Sequence, residues 1–237
     1  APTPELSKPR EAKFLAWLDE IKHDAQILFL MGDLFDFWHE WKYVVPKGYV
    51  RILGKLAELK DSGIDIYFFV GNHDLWMKDY LEEEIGIPVF FEKQYYEISG
   101  KNFLLAHGDG LGPGDKGYKR MKKLFTNPIA QWFFKWLHPD IAMKIAVYFS
   151  TKNKMISGVE DMKFLGEDKE FLILYSKEKL KSEKIDYFVY GHRHLPMILD
   201  LKIDENAANY VNLGDWISYF TYGVFDGAEF KIEEYKQ

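Results

Sequence analysis

The stretch that decides the fold is residues 64–74, which read IDIYFFVGNHD. Its first part, Ile64 to Val70, is the short and mostly apolar run that is typical of a buried strand. A glycine and the polar cluster Asn72, His73 and Asp74 follow at once. Glycine at such an exit permits a positive φ and a close backbone approach. The stretch therefore predicts polar side chains gathered where a buried strand ends.

Three further apolar runs end in the same way. The groups that follow them are Gly32-Asp33-Leu34-Phe35-Asp36, His107-Gly108-Asp109 and Gly191-His192-Arg193-His194. Together with His73, these groups hold four of the seven histidines of the chain. In open α/β folds, sites assemble in the loops beyond the carboxyl ends of the strands. We therefore expect the four groups to contribute to one functional site.

Each group alone is weak evidence, because a lone Gly-Asp is common in turns and a single His-x-His has ordinary structural explanations. Four such groups at four strand exits are hard to ascribe to chance. His192 and His194 occupy alternate positions and can present two imidazoles to one ion. Aspartate, asparagine and histidine ligands without cysteine indicate a divalent ion such as Mn²⁺, Fe²⁺ or Zn²⁺.

Composition excludes several classes of protein. The chain has 237 residues and is 47% hydrophobic, which is too apolar for a disordered protein. It contains no cysteine, so a disulfide framework, a thiolate nucleophile, a zinc finger and an iron–sulfur cluster are excluded. No apolar run reaches the roughly 20 residues that span a bilayer, so the sequence does not predict an integral membrane protein.

Charge is distributed unevenly along the chain. The formal net charge is −6, yet the segment from Lys116 to Met155 carries nine basic residues and one acidic residue, Asp140. The simplest interpretation is a pair of solvated surface helices. The runs from Ile129 to Leu137 and from Ile141 to Phe149 are apolar on nearly all sides, however, and such helices must be buried or must meet something apolar. We therefore expect this segment to bind an anionic, partly apolar partner.

Periodicity predicts one α/β domain with a helical insertion near its middle. Helices are predicted at Glu5–His23, Tyr49–Lys60, Asp79–Ile85 and about Glu167–Ser182, with strands at Ile27–Met31, Ile64–Val70, Tyr95–Ile98, Asn102–Ala106 and Tyr187–Tyr190. The alternation from Met197 to Tyr235 suits antiparallel strands. The basic, aromatic segment supplies the insertion.

The four groups resemble the motifs of the calcineurin-like metallophosphoesterase superfamily, and the resemblance spans nearly the whole chain. That family has the blocks Asp-x-His, Gly-Asp, Gly-Asn-His-Asp/Glu, His and Gly-His-x-His in this order, each at a strand exit. The resemblance implies an α/β (α+β) fold, a two-sheet β-sandwich flanked by helices, in a single domain over residues 1–237.

The resemblance also assigns roles to individual residues. It implies two divalent ions, with Mn²⁺ favoured over Fe²⁺ or Zn²⁺. Asp33 would bridge them, Asn72, His107 and His192 would complete one site, and His194 would serve the other. His73 would contact the phosphate or protonate the leaving oxygen, and Asp74 would orient it.

The Asp-x-His block of the family has no counterpart here. It should end a strand just before the first helix, and this sequence reaches that helix almost at once without an initiator methionine. We therefore expect an N-terminal segment that the sequence does not include.

Within the superfamily, three segments are similar to the UDP-2,3-diacylglucosamine pyrophosphatases of lipid A biosynthesis. They are Gly32–Trp38, His107–Leu111 and Asn212–Trp216. That resemblance implies hydrolysis of the pyrophosphate to UMP and 2,3-diacylglucosamine 1-phosphate by a cytoplasmic enzyme that makes peripheral contact with the inner membrane and takes no nucleic acid. The best-known branch has arginine where this chain has His73, which indicates a divergent branch.

The same resemblance places a helical lid at about residues 112–156. Substrate contacts are expected from Asp115, Tyr118, Arg120, Asn153 and Lys154. The aromatic and aliphatic residues of the lid are expected to form an apolar chamber for acyl chains; they are Trp132, Phe133, Phe134, Trp136, Ile145 and Phe149.

Two other functions remain open from the sequence. One is a phosphoesterase of the same chemistry that acts on another nucleotide or a phosphoprotein, although a soluble substrate would not need so apolar a lid. The other is a non-catalytic scaffold, which the missing Asp-x-His block favours and the intact Asn72-His73-Asp74 cluster disfavours.

Overall fold

A computed structural model describes residues 4–114, 116–146, 148 and 163–236. Its helices are α1 (Pro4–Ile21), α2 (Val50–Asp61), α3 (Tyr80–Ile85), α4 (Lys116–Phe125), α5 (Pro128–Lys135) and α6 (Phe171–Leu180). Residues 139–146 are helical as well. The strands are β1 (Ile27–Leu30), β2 (Asp65–Phe69), β3 (Val89–Phe90), β4 (Gln94–Ile98), β5 (Lys101–Ala106), β6 (Tyr187–Tyr190), β7 (Met197–Ile203), β8 (Asn206–Asn212), β9 (Thr221–Phe225) and β10 (Phe230–Glu234).

The chain divides into two compact units. Of the described residues, the first unit contains 4–91 and 122–148, and the second contains 92–121 and 163–236. The boundary between Met121 and Lys122 falls inside α4. Each unit therefore supplies its own strands and its own strand exits.

The first unit is built on a parallel sheet of order β1-β2-β3. Leu28 pairs with Ile66, and Phe68 pairs with Val89. Leu28, Leu30, Ile66, Phe68 and Phe69 of β1 and β2 are buried, and so are Leu18 of α1 and Leu56 of α2. Because β1 and β2 are parallel neighbours, their carboxyl ends lie at the same edge, and the groups that follow them emerge together.

The second unit contains a five-stranded sheet of order β4-β5-β6-β8-β7 and the antiparallel pair β9-β10. Strands β5, β6 and β8 are mutually parallel, while β4 and β7 run antiparallel at the two edges. Leu172 and Ile173 of α6 pack in a buried cluster with Phe188 and Tyr210. The carboxyl ends of β5 and β6 are again neighbours, so His107 and Gly191 follow adjacent strands.

The predicted α/β class, with helices and several sheets, is confirmed. Strand boundaries agree with the prediction to within two residues at most exits, because the apolar runs coincide with buried strands. The predicted helix over Glu167–Ser182 is shorter in the structure, where α6 begins at Phe171 and residues 167–169 form a turn. A hydrogen bond from the Glu170 amide to the Gly166 carbonyl closes that turn. No helix in the described ranges combines the length and the hydropathy that crossing a bilayer requires.

An aromatic socket in the first unit holds Phe134 of α5. We use this name for Phe37, His39 and Trp76, whose ring centroids lie 6.0, 5.1 and 4.4 Å from that of Phe134. The indole Nε1 of Trp76 also donates to the Phe125 carbonyl at 2.6 Å. Phe134 was expected to line an apolar chamber together with Phe133. In the structure the two side chains differ, because Phe134 packs against the socket whereas Phe133 is 64% exposed.

His39 is a buried imidazole inside this socket. It is 1% exposed, and neither ring nitrogen has a hydrogen-bond partner among the described residues. Burial, followed by the nearby charges of Lys78 and Lys135, lowers the pKa of His39 to about 4. The folded protein therefore holds this ring neutral under conditions in which an unfolded chain would protonate it.

We expect His39 to make the folding stability sensitive to mild acid. A folded-state pKa of about 4 against 6.5 in the unfolded chain means that the unfolded state binds more protons between these values. The stability is complete above pH 6.5 and falls as the pH drops toward 4, with about 2 kcal/mol lost at pH 5. Urea unfolding of the wild type and of His39→Phe at pH 7 and pH 5 measures this loss. An equal decrease in both proteins would contradict the prediction.

Candidate metal and phosphate site

In the first unit, the exits of β1 and β2 are joined through Asp33. Its Oδ1 accepts a hydrogen bond of 2.8 Å from the backbone amide of His73. Asp33 has φ +56, and Gly32 before it has φ +92. A positive φ costs a non-glycine residue of order 1–3 kcal/mol, and such conformations cluster at functional sites. The conformation of Asp33 therefore lowers the stability of the fold while it sets the direction of the carboxylate.

Gly71 is required at this exit by lack of space. A Cβ there would lie 2.3 Å from Asp33 Oδ1 and 2.6 Å from the Asp33 backbone nitrogen. The close backbone approach that the sequence predicted is therefore present at Gly71, while the positive φ occurs at Gly32.

Asp74 is fully buried and shapes the turn that carries Asn72 and His73. Its Oδ1 accepts from the Gly71 amide at 2.5 Å, and its carbonyl accepts from the Met77 amide at 3.0 Å. The carboxylate therefore closes the loop before His73 and the backbone carbonyl closes it after His73, which is the structural support that a residue orienting His73 would give.

Glu40 is a buried carboxylate that supports the start of α3 and that the sequence analysis missed. It is 5% exposed, and its carboxylate accepts from the Trp38 indole at 2.8 Å. It also accepts from the backbone amides at the start of α3, which are those of Lys78, Asp79 and Tyr80 at 2.9, 3.1 and 3.2 Å. A carboxylate at a helix start satisfies orphan amides and complements the helix dipole. The three amides lie 38 to 40 positions away along the chain, so no local sequence signal reveals this role of Glu40.

In the second unit, His107 and His192 lie side by side. Their ring centroids are 5.2 Å apart at an angle of 69°, and a ring nitrogen of each lies within 4.8 Å of the other. The Gly191 amide donates to the His107 carbonyl at 3.0 Å, which extends the pairing of β5 and β6 beyond their ends. Like Asp33, His192 has a positive φ, +61. The two imidazoles can therefore serve one ion.

His194 is oriented by a buried carboxylate. Its Nδ1 lies 3.1 Å from Asp215 Oδ2, and Asp215 Oδ1 accepts from the amides of Ile217, Ser218 and Tyr219. Burial raises the pKa of Asp215, but the hydrogen bonds from His194 and these amides outweigh it and the net pKa is lowered. A carboxylate on one nitrogen of a histidine leaves the other nitrogen for a metal, as in many metal sites.

The residues expected to contact substrate are placed unevenly. Tyr118 donates its hydroxyl to Asp109 Oδ2 at 2.5 Å, and its ring lies 6.1 Å from that of His192. Arg120 is exposed on α4. Asp115, Asn153 and Lys154 lie outside the described residues, as does Phe149 of the expected chamber.

The donor set fits a divalent transition metal. The first unit offers the Asp33 carboxylate and the Asn72 amide, and the second unit offers the imidazoles of His107, His192 and His194. Oxygen and imidazole donors without thiolate suit Mn²⁺, Fe²⁺ and Zn²⁺. The orientation of His194 by Asp215 supplies the outer support that such ligands need.

Comparison with known proteins agrees with this chemistry. A family model described as calcineurin-like phosphoesterase matches residues 9–196. The UDP-2,3-diacylglucosamine hydrolase of Porphyromonas gingivalis is 40% identical, over 94% of this chain and 88% of that protein. Proteins of the same name from Edwardsiella ictaluri and Yersinia pestis are 28% and 26% identical, over 86% of this chain and 78% and 83% of theirs.

Among solved structures, a zinc complex of Vps29 from Entamoeba histolytica aligns with 87% of this chain and 88% of its own, at 11% identity and a TM-score of 0.29. The resemblance that the strand-exit motifs indicated is confirmed by the family model, which spans most of the chain. The chain belongs to the calcineurin-like phosphoesterase family, whose members use divalent metal ions.

Proposed function

We propose that this protein hydrolyses the pyrophosphate bond of UDP-2,3-diacylglucosamine to UMP and 2,3-diacylglucosamine 1-phosphate in lipid A biosynthesis. The observation that carries the proposal is the similarity to a hydrolase of that substrate, at 40% identity over 94% of the chain. The metal-ligand side chains at the strand exits and the apolar, basic segment between them support it independently.

Two divalent ions are proposed, as the family resemblance implies. Asp33 would be a ligand of both ions, Asn72, His107 and His192 would complete one site, and His194 would serve the other. Manganese is the proposed ion, as the family resemblance implies; the oxygen and imidazole donors suit Mn²⁺, Fe²⁺ and Zn²⁺. When bound, such a pair activates a water and neutralises charge on the phosphate. The histidines must be neutral to bind, so activity declines in acid.

The remaining chemistry falls to His73. Its backbone is held on Asp33, and the buried Asp74 closes the turn around it. The ring is proposed to contact the phosphate or to donate a proton to the leaving oxygen of the pyrophosphate. Both roles require a well-placed residue, and these hydrogen bonds fix the backbone from which the ring projects.

Residues 112–156 are proposed to form a lid for the acylated part of the substrate. The number of large apolar side chains exposed on it is higher than on an ordinary solvated helix. These residues are Leu124, Ile129, Trp132, Phe133, Trp136, Ile141, Ile145 and Tyr148. Trp136 has the largest exposed fraction of these side chains, 74%. Tyr118, Arg120, Asp115, Asn153 and Lys154 are proposed to bind the head group.

The same surface supports peripheral contact with the cytoplasmic face of the inner membrane. Lys123, Lys135 and Lys144 are exposed among the apolar residues. Apolar side chains combined with lysines favour an interface that carries anionic lipids. A substrate that resides in the membrane would be met on this face.

A substitution on the lid separates the acylated substrate from soluble phosphoesters. Each CH₂ of a buried acyl chain contributes about 0.8 kcal/mol. Phe133→Asp should therefore lower kcat/KM for the diacylated sugar nucleotide by at least about tenfold. Hydrolysis of a small soluble phosphodiester should stay within about twofold, since a single surface charge leaves the metal ligands intact.

Tyr43→Asp is the matched control, because Tyr43 is an 85% exposed aromatic residue of the same unit outside the lid. It should leave both rates unchanged. Equal losses on both substrates in Phe133→Asp would refute the role of the lid and favour a phosphoesterase with a soluble substrate. Phe134 is unsuitable for this test, since its substitution would empty the aromatic socket.

A further inference from the structure

The backbone at His192 forms an unusual turn. The Arg193 amide donates to the Gly191 carbonyl at 2.7 Å, two residues back, and the central residue His192 has φ +61. A turn with this hydrogen bond and a positive φ is a γ-turn of the rare, strained class. A side chain at its centre keeps this conformation only where the surroundings over-determine it.

One side of the turn is held by the sheet. The Gly191 amide donates to the His107 carbonyl at 3.0 Å. In addition, Gly108 has φ +115, and a Cβ there would lie 3.1 Å from Leu172 and 3.5 Å from the Cβ of His192. The backbone before His192 is therefore fixed closely against the exit of β5.

The other side is held by a buried ion pair. Arg193 and Glu170 have side chains that are 7% and 5% exposed, with Arg193 Nη2 3.1 Å from Glu170 Oε1. The same Nη2 donates to the Lys163 carbonyl at 2.6 Å, and Glu170 Oε1 also accepts from the Leu165 amide at 3.0 Å. Arg193 is thus tied to the stretch 163–170 that leads into α6.

Stability alone is a poor explanation for this pair. Removing two charges from water is costly, and apolar residues of similar volume often stabilise a fold as well or better. What a guanidinium with directed donors adds is a defined geometry. Here that geometry is applied one residue from His192, at a turn that would otherwise relax.

We propose that Arg193 and Glu170 are positioning residues, which clamp the γ-turn and so hold the His192 ring beside His107 in the orientation that binds a metal ion. The inference rests on the proposed metal-dependent function and deepens it. The ion pair also links the proposed metal ligand His192 to residues 163–170. The same contacts therefore support the metal site and the stretch of chain that follows the proposed lid.

The test is Mn²⁺ binding to the metal-free full chain, measured by titration calorimetry. The main variant is Arg193→Met combined with Glu170→Met, which removes both charges and avoids an unpaired one. We expect it to unfold thermally within a few degrees of the wild type and to bind Mn²⁺ about 10- to 100-fold more weakly, the usual effect of losing outer support of a ligand. Arg193→Lys keeps the charge without the planar fork, and we expect an intermediate affinity.

Lys177→Met is the matched control. It breaks the 2.8 Å pair of Lys177 with Glu167, which ties the same stretch to α6 on the surface, and should leave Mn²⁺ affinity unchanged. A double variant that binds Mn²⁺ like the wild type overturns the inference alone; should that variant not fold, wild-type affinity in Arg193→Lys overturns it. Failure of the wild type to bind any divalent ion overturns the proposed function as well.

Discussion

Replacing His73 with alanine should lower turnover by about 10²- to 10⁴-fold, the usual contribution of a general acid, and leave the metal content unchanged. The reason is that the backbone and the ring of His73 have separate roles. Its backbone amide, and not its ring, donates to Asp33 Oδ1 at 2.8 Å. Alanine keeps that amide, so Asp33 stays in place while the group that acts on the phosphate is lost.

Turnover of UDP-2,3-diacylglucosamine and metal content by elemental analysis measure the two effects separately. His23→Ala is the control, because His23 is exposed just after α1, outside the four strand exits. If metal is lost together with activity, His73 is a ligand or a structural residue. A drop in kcat with little change in KM is the pattern that loss of a transition-state interaction predicts.

The second large effect is expected from Gly71→Ala. A Cβ at this position would lie 2.6 Å from the backbone nitrogen of Asp33 and 2.3 Å from its Oδ1. The clash with a backbone atom cannot be relieved by a rotamer change, so Asp33 must move. Since Asp33 is the proposed bridging ligand, both metal content and activity should fall, activity by more than the roughly 100-fold that loss of outer support costs.

Gly54→Ala is the matched control for this substitution. Gly54 lies inside α2, and no atom of the residues that the structure describes lies within 4 Å of a Cβ placed there. Alanine there should raise the free energy of unfolding by roughly 0.5–1 kcal/mol and leave activity intact. Gly71→Ala with normal metal content would show that Asp33 is not the bridging ligand.

The parts of the site that the sequence could predict are those with a local signal. A buried parallel strand appears as an unbroken apolar run, so the positions of Asp33, Asn72, His107 and His192 after such runs were readable. The sequence also predicted that a glycine at a strand exit such as Gly71 would permit a positive φ or a close backbone approach. Only the structure shows that Gly71 permits the close backbone approach and that Gly32 has the positive φ.

Long-range contacts gave no such signal. Glu40 reaches amides 38 to 40 positions away, and Arg193 reaches Glu170 across 23. Nothing in the residues around either carboxylate identifies its partner. Helix α5 shows a different difficulty, because a helix that is apolar on nearly all sides does not reveal which side is inward. Phe133 and Phe134 are adjacent and equally apolar, yet they are oriented about 100° apart around the axis; Phe133 is exposed, while Phe134 packs in the aromatic socket.

The aromatic socket has a consequence for how this protein can change through evolution. Phe134 provides the tight ring contacts of α5 with Phe37, His39 and Trp76, while Trp132, Phe133 and Trp136 are exposed. Substitutions at exposed positions away from special features usually alter stability by less than about 0.5 kcal/mol. The outward face of this helix is therefore open to mutational drift at little cost to folding. A lineage can adjust what this face recognises while the position of Phe134 keeps the helix in register with the body of the unit.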